Sequence, residues 1–283
     1  MERVGILTDS SSTIPIAFGR ERGIGIGSVS VVIEGQAYID AVTLEPEVLY
    51  DAVARGADIV TSGVNAGDFE QQLAWLYQEH DAVVAVVIDG RISSTYRNAK
   101  MAGLEFDDHP YFVPETGTAG MGLGAIALEA ARHAQAGADF DTVCDVTRQA
   151  ISLSDCYVVT RNVKGFQDIQ RLSQGTVAEN EMRDAVIVIQ LRDGRIAPVA
   201  RAQDYDEANR LIVERIAARL PEDRPLTVVA SHARAEAGAS ALLDELGRRY
   251  TIAESHLFPN TATVTAVVGV PSYGIGVASR IDL

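Results

Sequence analysis

A chain of 283 residues that is 47% hydrophobic and 22% charged has a globular composition, long enough for one large domain or two ordinary ones. Its net charge of −15, with no basic run to offset it, sets aside nucleic acid and anionic membrane surfaces as partners. No apolar run approaches the ~20 residues of a membrane helix, and the opening "MERVGILTDSSS" does not read as a signal peptide, so the expected compartment is the cytoplasm. Cys144 and Cys156 are the only cysteines and lack a neighbouring Cys/His ligand set, so neither a disulfide framework nor a metal site is predicted.

In chain order, short apolar runs at 4–7, 28–33, 58–60, 83–88 and 111–113 read as strands. Between them, "GDFEQQLAWLYQEH" places Phe69, Leu73, Leu76 and Tyr77 at helical spacing. "TAGMGLGAIALEAARHAQAG" is a second helix, rich in small residues and closed by Gly137. Such alternation implies a mostly parallel sheet covered by helices, joined by right-handed crossovers. After about residue 153 the texture becomes β-rich: "CYVVT", "AVIVIQLRDGRIAPVA", "PLTVVASHA" and "TATVTAVVGVPSYGIGVA", with helices at 205–220 and 235–248. Asp-Gly inside "RDGR" signals a hairpin at 192–195. Two domains are predicted, 1–153 and 154–283, and with no linker between them the cleft is the default ligand site.

Ligands of open parallel sheets bind beyond the carboxyl ends of the strands. Four strand ends carry hydroxyls: "LTDSSST" (7–13), "VTSGVN" (60–65), "IDGRISSTYRNA" (88–99) and "PETGTAG" (114–120). Each alone is ordinary capping and turn chemistry. Together, on one sheet edge, they would form a hydroxyl-lined site, better suited to a carboxylate than to a phosphate. No Gly-rich loop leads into Lys-Ser/Thr, and "GIGIG" (23–27) has the wrong spacing for a dinucleotide fingerprint.

Two enzymatic readings are weaker. Asp9 and Thr13 fit an aspartyl-phosphatase motif, but Ser11 stands where its second Asp belongs. Asp9, Ser93 and His232 could serve a small-acid hydrolase or phosphotransferase, yet no G-x-S-x-G elbow exposes the serine. Among the five histidines only His232, in "VVASHARAEA", ends a strand and opens a helix, as a cap residue or a polar group in the cleft.

The ordered blocks resemble those of the DegV family, whose fatty-acid-binding members are called FakB proteins. "GILTDSSSTIP", "RGIGIGSVSVVIEGQAYID", "TSGVNAGDF", "ISSTYRNA", "ETGTAGMGLG", "LRDGRIAPVARAQDYDEA" and "VVASHARAEAGASALLDEL" match its blocks in order over essentially the whole chain. The resemblance implies an α/β protein of two domains. The N-terminal one would be a three-layer α/β/α domain with a mostly parallel sheet, the C-terminal one a two-layer α/β domain with a mixed sheet. It implies a bound long-chain fatty acid such as palmitate, no cofactor and no catalysis by the chain itself. Thr61 and Ser93 would hold the carboxylate, with Ser62, Ser94, Thr95, Asp9, Ser10, Thr116 and His232 in the nearby pocket, and an acyl tunnel partly in the C-terminal domain. A separate fatty-acid kinase would be the partner, with Arg201 as a docking residue; a diverged amphiphile binder without a kinase is the other form. This chain departs from the family pattern at Ser94 (Gly in the family), at Glu115 and Thr116 (Asp and Ser), and in three longer stretches. Gly63-Val64-Asn65 replaces Gln-Pro-Ser, "SQGTV" (173–177) replaces a Gly-Gly-Arg segment, and "VVGVPSYG" (267–274) lacks a His that falls near Val268.

Overall fold

The computed structural model describes residues 2–161 and 185–282; the segment 173–177 lies outside them. The first half is built on a four-stranded sheet in the order β2-β1-β6-β7, from β1 (Val4–Asp9), β2 (Ile24–Gly27), β6 (Ala82–Ala85) and β7 (Tyr111–Phe112). All its pairings are parallel, and β1 is buried along its whole length. A strand covered on both faces needs continuous apolar sequence, which "VGIL" and "AVVA" supply.

The runs at 28–33 and 58–60 do not enter that sheet. β3 (Ser30–Ile33), β4 (Gln36–Ile39) and β5 (Ile59–Ser62) form a separate antiparallel sheet, ordered β4-β3-β5. The expectation of four hydroxyl-bearing ends on one sheet edge is therefore corrected: "VTSGVN" ends a different sheet. The physical reason is that β3 carries alternating rather than continuous burial, the pattern of a sheet with one solvated face.

Helices α3 (Ala66–Leu76) and α4 (Thr95–Ala102) cover one side of the parallel sheet, while α5 (Gly120–Gln135) and α6 (Phe140–Ser152) lie on the other. Short helix α1 (Ile16–Glu21) flanks β2, and α2 (Pro46–Ala54) follows the small sheet. The second half is a six-stranded mixed sheet, β10-β9-β8-β13-β11-β12, in which only β11–β12 is parallel. Its strands are β8 (Ser154–Thr160), β9 (Val186–Arg192), β10 (Arg195–Ala202), β11 (Leu226–Ala233), β12 (Ile252–Pro259) and β13 (Ser272–Ser279). Helices α7 (Tyr205–Ala217) and α8 (Glu236–Gly247) pack on its outer face. The β9–β10 turn has Asp193 at φ 52° and Gly194 at φ 70°, the two positive values a type I′ hairpin requires.

Helix α5 joins the two sheets, packing on β1 of one and on β13, β11 and β8 of the other. Its sequence "GMGLGAIALEAA" is small and apolar on every side, because it is covered on every side. Gly276 of β13 admits it: a Cβ there would overlap the Met121–Gly122 peptide. One acidic residue, Glu129, is fully buried in this helix. It accepts hydrogen bonds from Arg132, from the Thr227 hydroxyl (3.2 Å) and from the Ile281 N–H (2.9 Å). Burial alone would raise its pKa, but the Arg132 guanidinium and these donors hold it below the usual carboxylate range.

The stretch "TATVTAVV", read as strand from its β-branched residues, contains a helix instead: α9 (Ala262–Val268). It packs on α2, β5 and the 3₁₀ turn Ser10–Ser12. Its first N–H, from Ala262, donates to the buried Asp40 carboxylate at 3.0 Å. Tertiary packing and this cap override the local β propensity.

Candidate functional site

The turn after β5 is the first wall of the candidate site. Thr61 stands opposite Val31 in the antiparallel register, so its side chain takes the inner face of the small sheet. It is half-buried, whereas the next residue, Ser62, points to solvent with only a 3.4 Å hydrogen bond to the Ser30 carbonyl. Gly63 lets this turn sit directly on the segment before α4. A Cβ at Gly63 would stand 2.8 Å from Ser94 Oγ and 2.9 Å from Thr95 Oγ1. The Val64 N–H donates to Thr95 Oγ1 (3.1 Å), and Asn98 Nδ2 donates to the Val64 carbonyl (2.7 Å). Asn65 caps α3 by accepting the Asp68 N–H at 2.9 Å. Gly63, Val64 and Asn65 thus serve close approach, burial and capping in turn.

The facing segment presents Ser93. Its hydroxyl lies 3.0 Å from Thr95 Oγ1 and accepts the Thr95 N–H at 3.2 Å, while the residue remains half-buried. Thr95 is buried and acts as the hub between the two turns; Ser94 is exposed. Sequence reading placed all these residues in one pocket, and the structure brings the two turns into direct contact.

Beside Ile92, the residue preceding Ser93, lies a small apolar cavity. Ile88, Ile92 and Met121 of the first half line it, with Val158, Leu191 and Ile196 of the second. Helix α9 closes it with Thr263, Val264, Val267 and Val268.

The remaining predicted residues are framework. Asp9 is fully buried; one carboxylate oxygen accepts the Ser11 N–H (2.9 Å), the other the Ile88 N–H (2.7 Å), tying β1 to the neighbouring strand end. Burial raises its pKa, only partly countered by those bonds. Ser10 donates to Asp40 (2.9 Å) and accepts the Val29 N–H (3.2 Å). Thr116 donates to the Val87 carbonyl at 2.9 Å. His232 shares strand parity with Leu226 and Val228, whose side chains face α7 and α8, away from α5. Asp9, Ser93 and His232 are not linked as a relay, since each of Asp9 and Ser93 is engaged elsewhere and His232 takes the other face of its sheet. Arg201 is exposed on β10, remote in sequence from both turns.

Sequence reading missed Asp40 as the polar centre between the small sheet and α9. It accepts from Ser10 and Ala262, and burial pushes its pKa up to about 6. The Tyr-x-Asp ending of its block was the available signal.

Residues 3–280 match the family model described as "Uncharacterised protein, DegV family". The chain belongs to the DegV family. A DegV domain-containing protein of Clostridium perfringens is 26% identical over 280 residues, covering 97% of this chain and 98% of that protein. A Thermotoga maritima protein named "Fatty acid-binding protein" is 24% identical over 283 residues, 97% of each chain. A solved structure from Thermus thermophilus, described as fatty acid binding of a DegV family protein, superposes with a TM-score of 0.88. It is 23% identical and covers 98% of this chain and 99% of its own, which shows a shared fold. This DegV chain therefore matches its family over nearly its whole length.

Proposed function

We propose that the chain binds one long-chain fatty acid such as palmitate, with its carboxyl group on Thr61 and Ser93 and its tail in the apolar cavity. The observation that carries this reading is the apolar cavity walled by both halves of the chain, whose lining residue Ile92 directly precedes Ser93. Burying methylenes yields ~0.8 kcal/mol each, so a sixteen-carbon tail supplies on the order of 10 kcal/mol. The head group then has only to keep its hydrogen bonds, which hydroxyls provide. The tail sets affinity and the head sets register.

In this reading residues 1–153 form the domain with the carboxyl-binding hydroxyls, and residues 154–283 the domain that completes the tunnel. The chain acts as a cytoplasmic carrier in lipid transport or fatty acid metabolism and presents the acid to a separate fatty-acid kinase, with exposed Arg201 on the docking side. It performs no phosphoryl transfer itself. Native mass spectrometry of the purified protein tests the central statement: a co-purifying C14–C20 acid, or saturable binding of added palmitate, is the expected result. Absence of both would overturn it. Mixing the palmitate complex with a DegV-partner kinase and ATP tests the presentation step by formation of acyl phosphate.

A further inference from the structure

The wall of the apolar cavity contains a polar atom with nothing to bond. Thr263 Oγ1 is buried, Thr263 lines the cavity, and its hydroxyl has no hydrogen-bond partner among the described residues. A buried donor left unmade destabilises the fold, so its retention in a residue that lines the cavity is read as a bond left for a ligand atom. The position of α9 names that atom. Thr263 lines the cavity together with Ile92, the residue preceding Ser93, and α9 packs on β5, which carries Thr61. We propose that Thr263 is a third hydroxyl contact for the carboxyl group of the acyl ligand, contributed from the C-terminal half; this rests on the fatty-acid reading above. Among the described residues the cavity lining includes no Lys, Arg or His, so in this reading a carboxyl group there meets hydroxyl donors. Closing the site from both halves also makes head-group recognition depend on the seating of α9, which Asp40 anchors.

Thr265 provides the internal comparison. It lies on the same helix, is completely buried and has an equally unbonded hydroxyl, but is not among the residues lining the cavity. If burial of an unbonded hydroxyl were the whole effect, Thr263 and Thr265 would respond alike to loss of that hydroxyl. Valine has the shape of threonine without the hydroxyl, so Thr263→Val should raise the melting temperature of the ligand-free protein. It should also weaken palmitic acid binding by about 5- to 10-fold, the size of one hydrogen bond. Thr263→Ser should bind within about 2-fold of wild type, and Thr265→Val should raise the melting temperature with affinity unchanged. Equal or tighter palmitic acid binding by Thr263→Val overturns the proposal while leaving the fatty-acid reading standing. Failure of the wild-type protein to bind palmitic acid at all overturns both.

Discussion

Two buried polar regions of this protein are built on opposite plans. Around Glu129 a carboxylate inside α5 is met by Arg132, Thr227 and the Ile281 N–H, and the cluster ties the helix to the end of the chain. Around α9, Thr13, Thr261, Thr263 and Thr265 bury hydroxyls with no partner among the described residues. The first plan is what a scaffold requires, since a buried charge is tolerated only when paired. The second leaves hydroxyls without partners at a cost in stability, and of these Thr263 belongs to the lining of the apolar cavity. The difference is between a charge fully paired inside the scaffold and hydroxyls left unpaired around α9.

The largest expected effect breaks the scaffold. Glu129→Ala strands Arg132, Thr227 and the Ile281 N–H, and should cost about 3–5 kcal/mol in urea unfolding. A loss under about 1 kcal/mol would mean the cluster is not structural. Next comes pH, through Asp40, which joins Ser10 to the start of α9. Its pKa rises from 3.8 to about 6 on folding, chiefly through burial. As pH climbs between those values the unfolded chain ionises first, so the folded state loses up to about 3 kcal/mol of relative stability, a loss complete above pH 6. Asp40→Asn should flatten this part of the stability–pH curve and be more stable than wild type at pH 8. An unchanged slope would remove Asp40 as the titrating group.

Recognition should show smaller, more selective effects. Thr61→Ala combined with Ser93→Ala should weaken palmitate about 10- to 100-fold, roughly 1.4–2.8 kcal/mol, and hexadecanol less. Equal losses measured by displacement of a fluorescent acyl probe would sink the carboxyl assignment. The smallest effect is Thr265→Val, which should stabilise the ligand-free protein by about 1 kcal/mol in thermal unfolding.

Particular elements show why some of this was legible before the coordinates. The apolar spacing of Phe69, Leu73 and Leu76 marked α3, and all three are buried. The Asp-Gly turn marked β9–β10, and the small-residue run marked α5. Each is a local rule acting within a few residues. The β3–β5 pairing was not legible, because Val31 and Thr61 are thirty positions apart and nothing in either run names the other. Helix α9 was misread because threonine and valine favour strands until α2 and Asp40 supply packing and a cap.

What the sequence determined by itself is the periodicity of its elements, the turns, the caps, the anionic surface and the order of family blocks. Tertiary structure alone decided that "VTSGVN" leaves the parallel sheet yet still meets the Ser93 turn through Val64 and Thr95. It alone tied Asp9 into the Ser11 and Ile88 amides and set α9 against β5. The reason is that strand and helix periods are set by bonds between near neighbours, whereas a cavity is set by which distant surfaces must share the burial of apolar area.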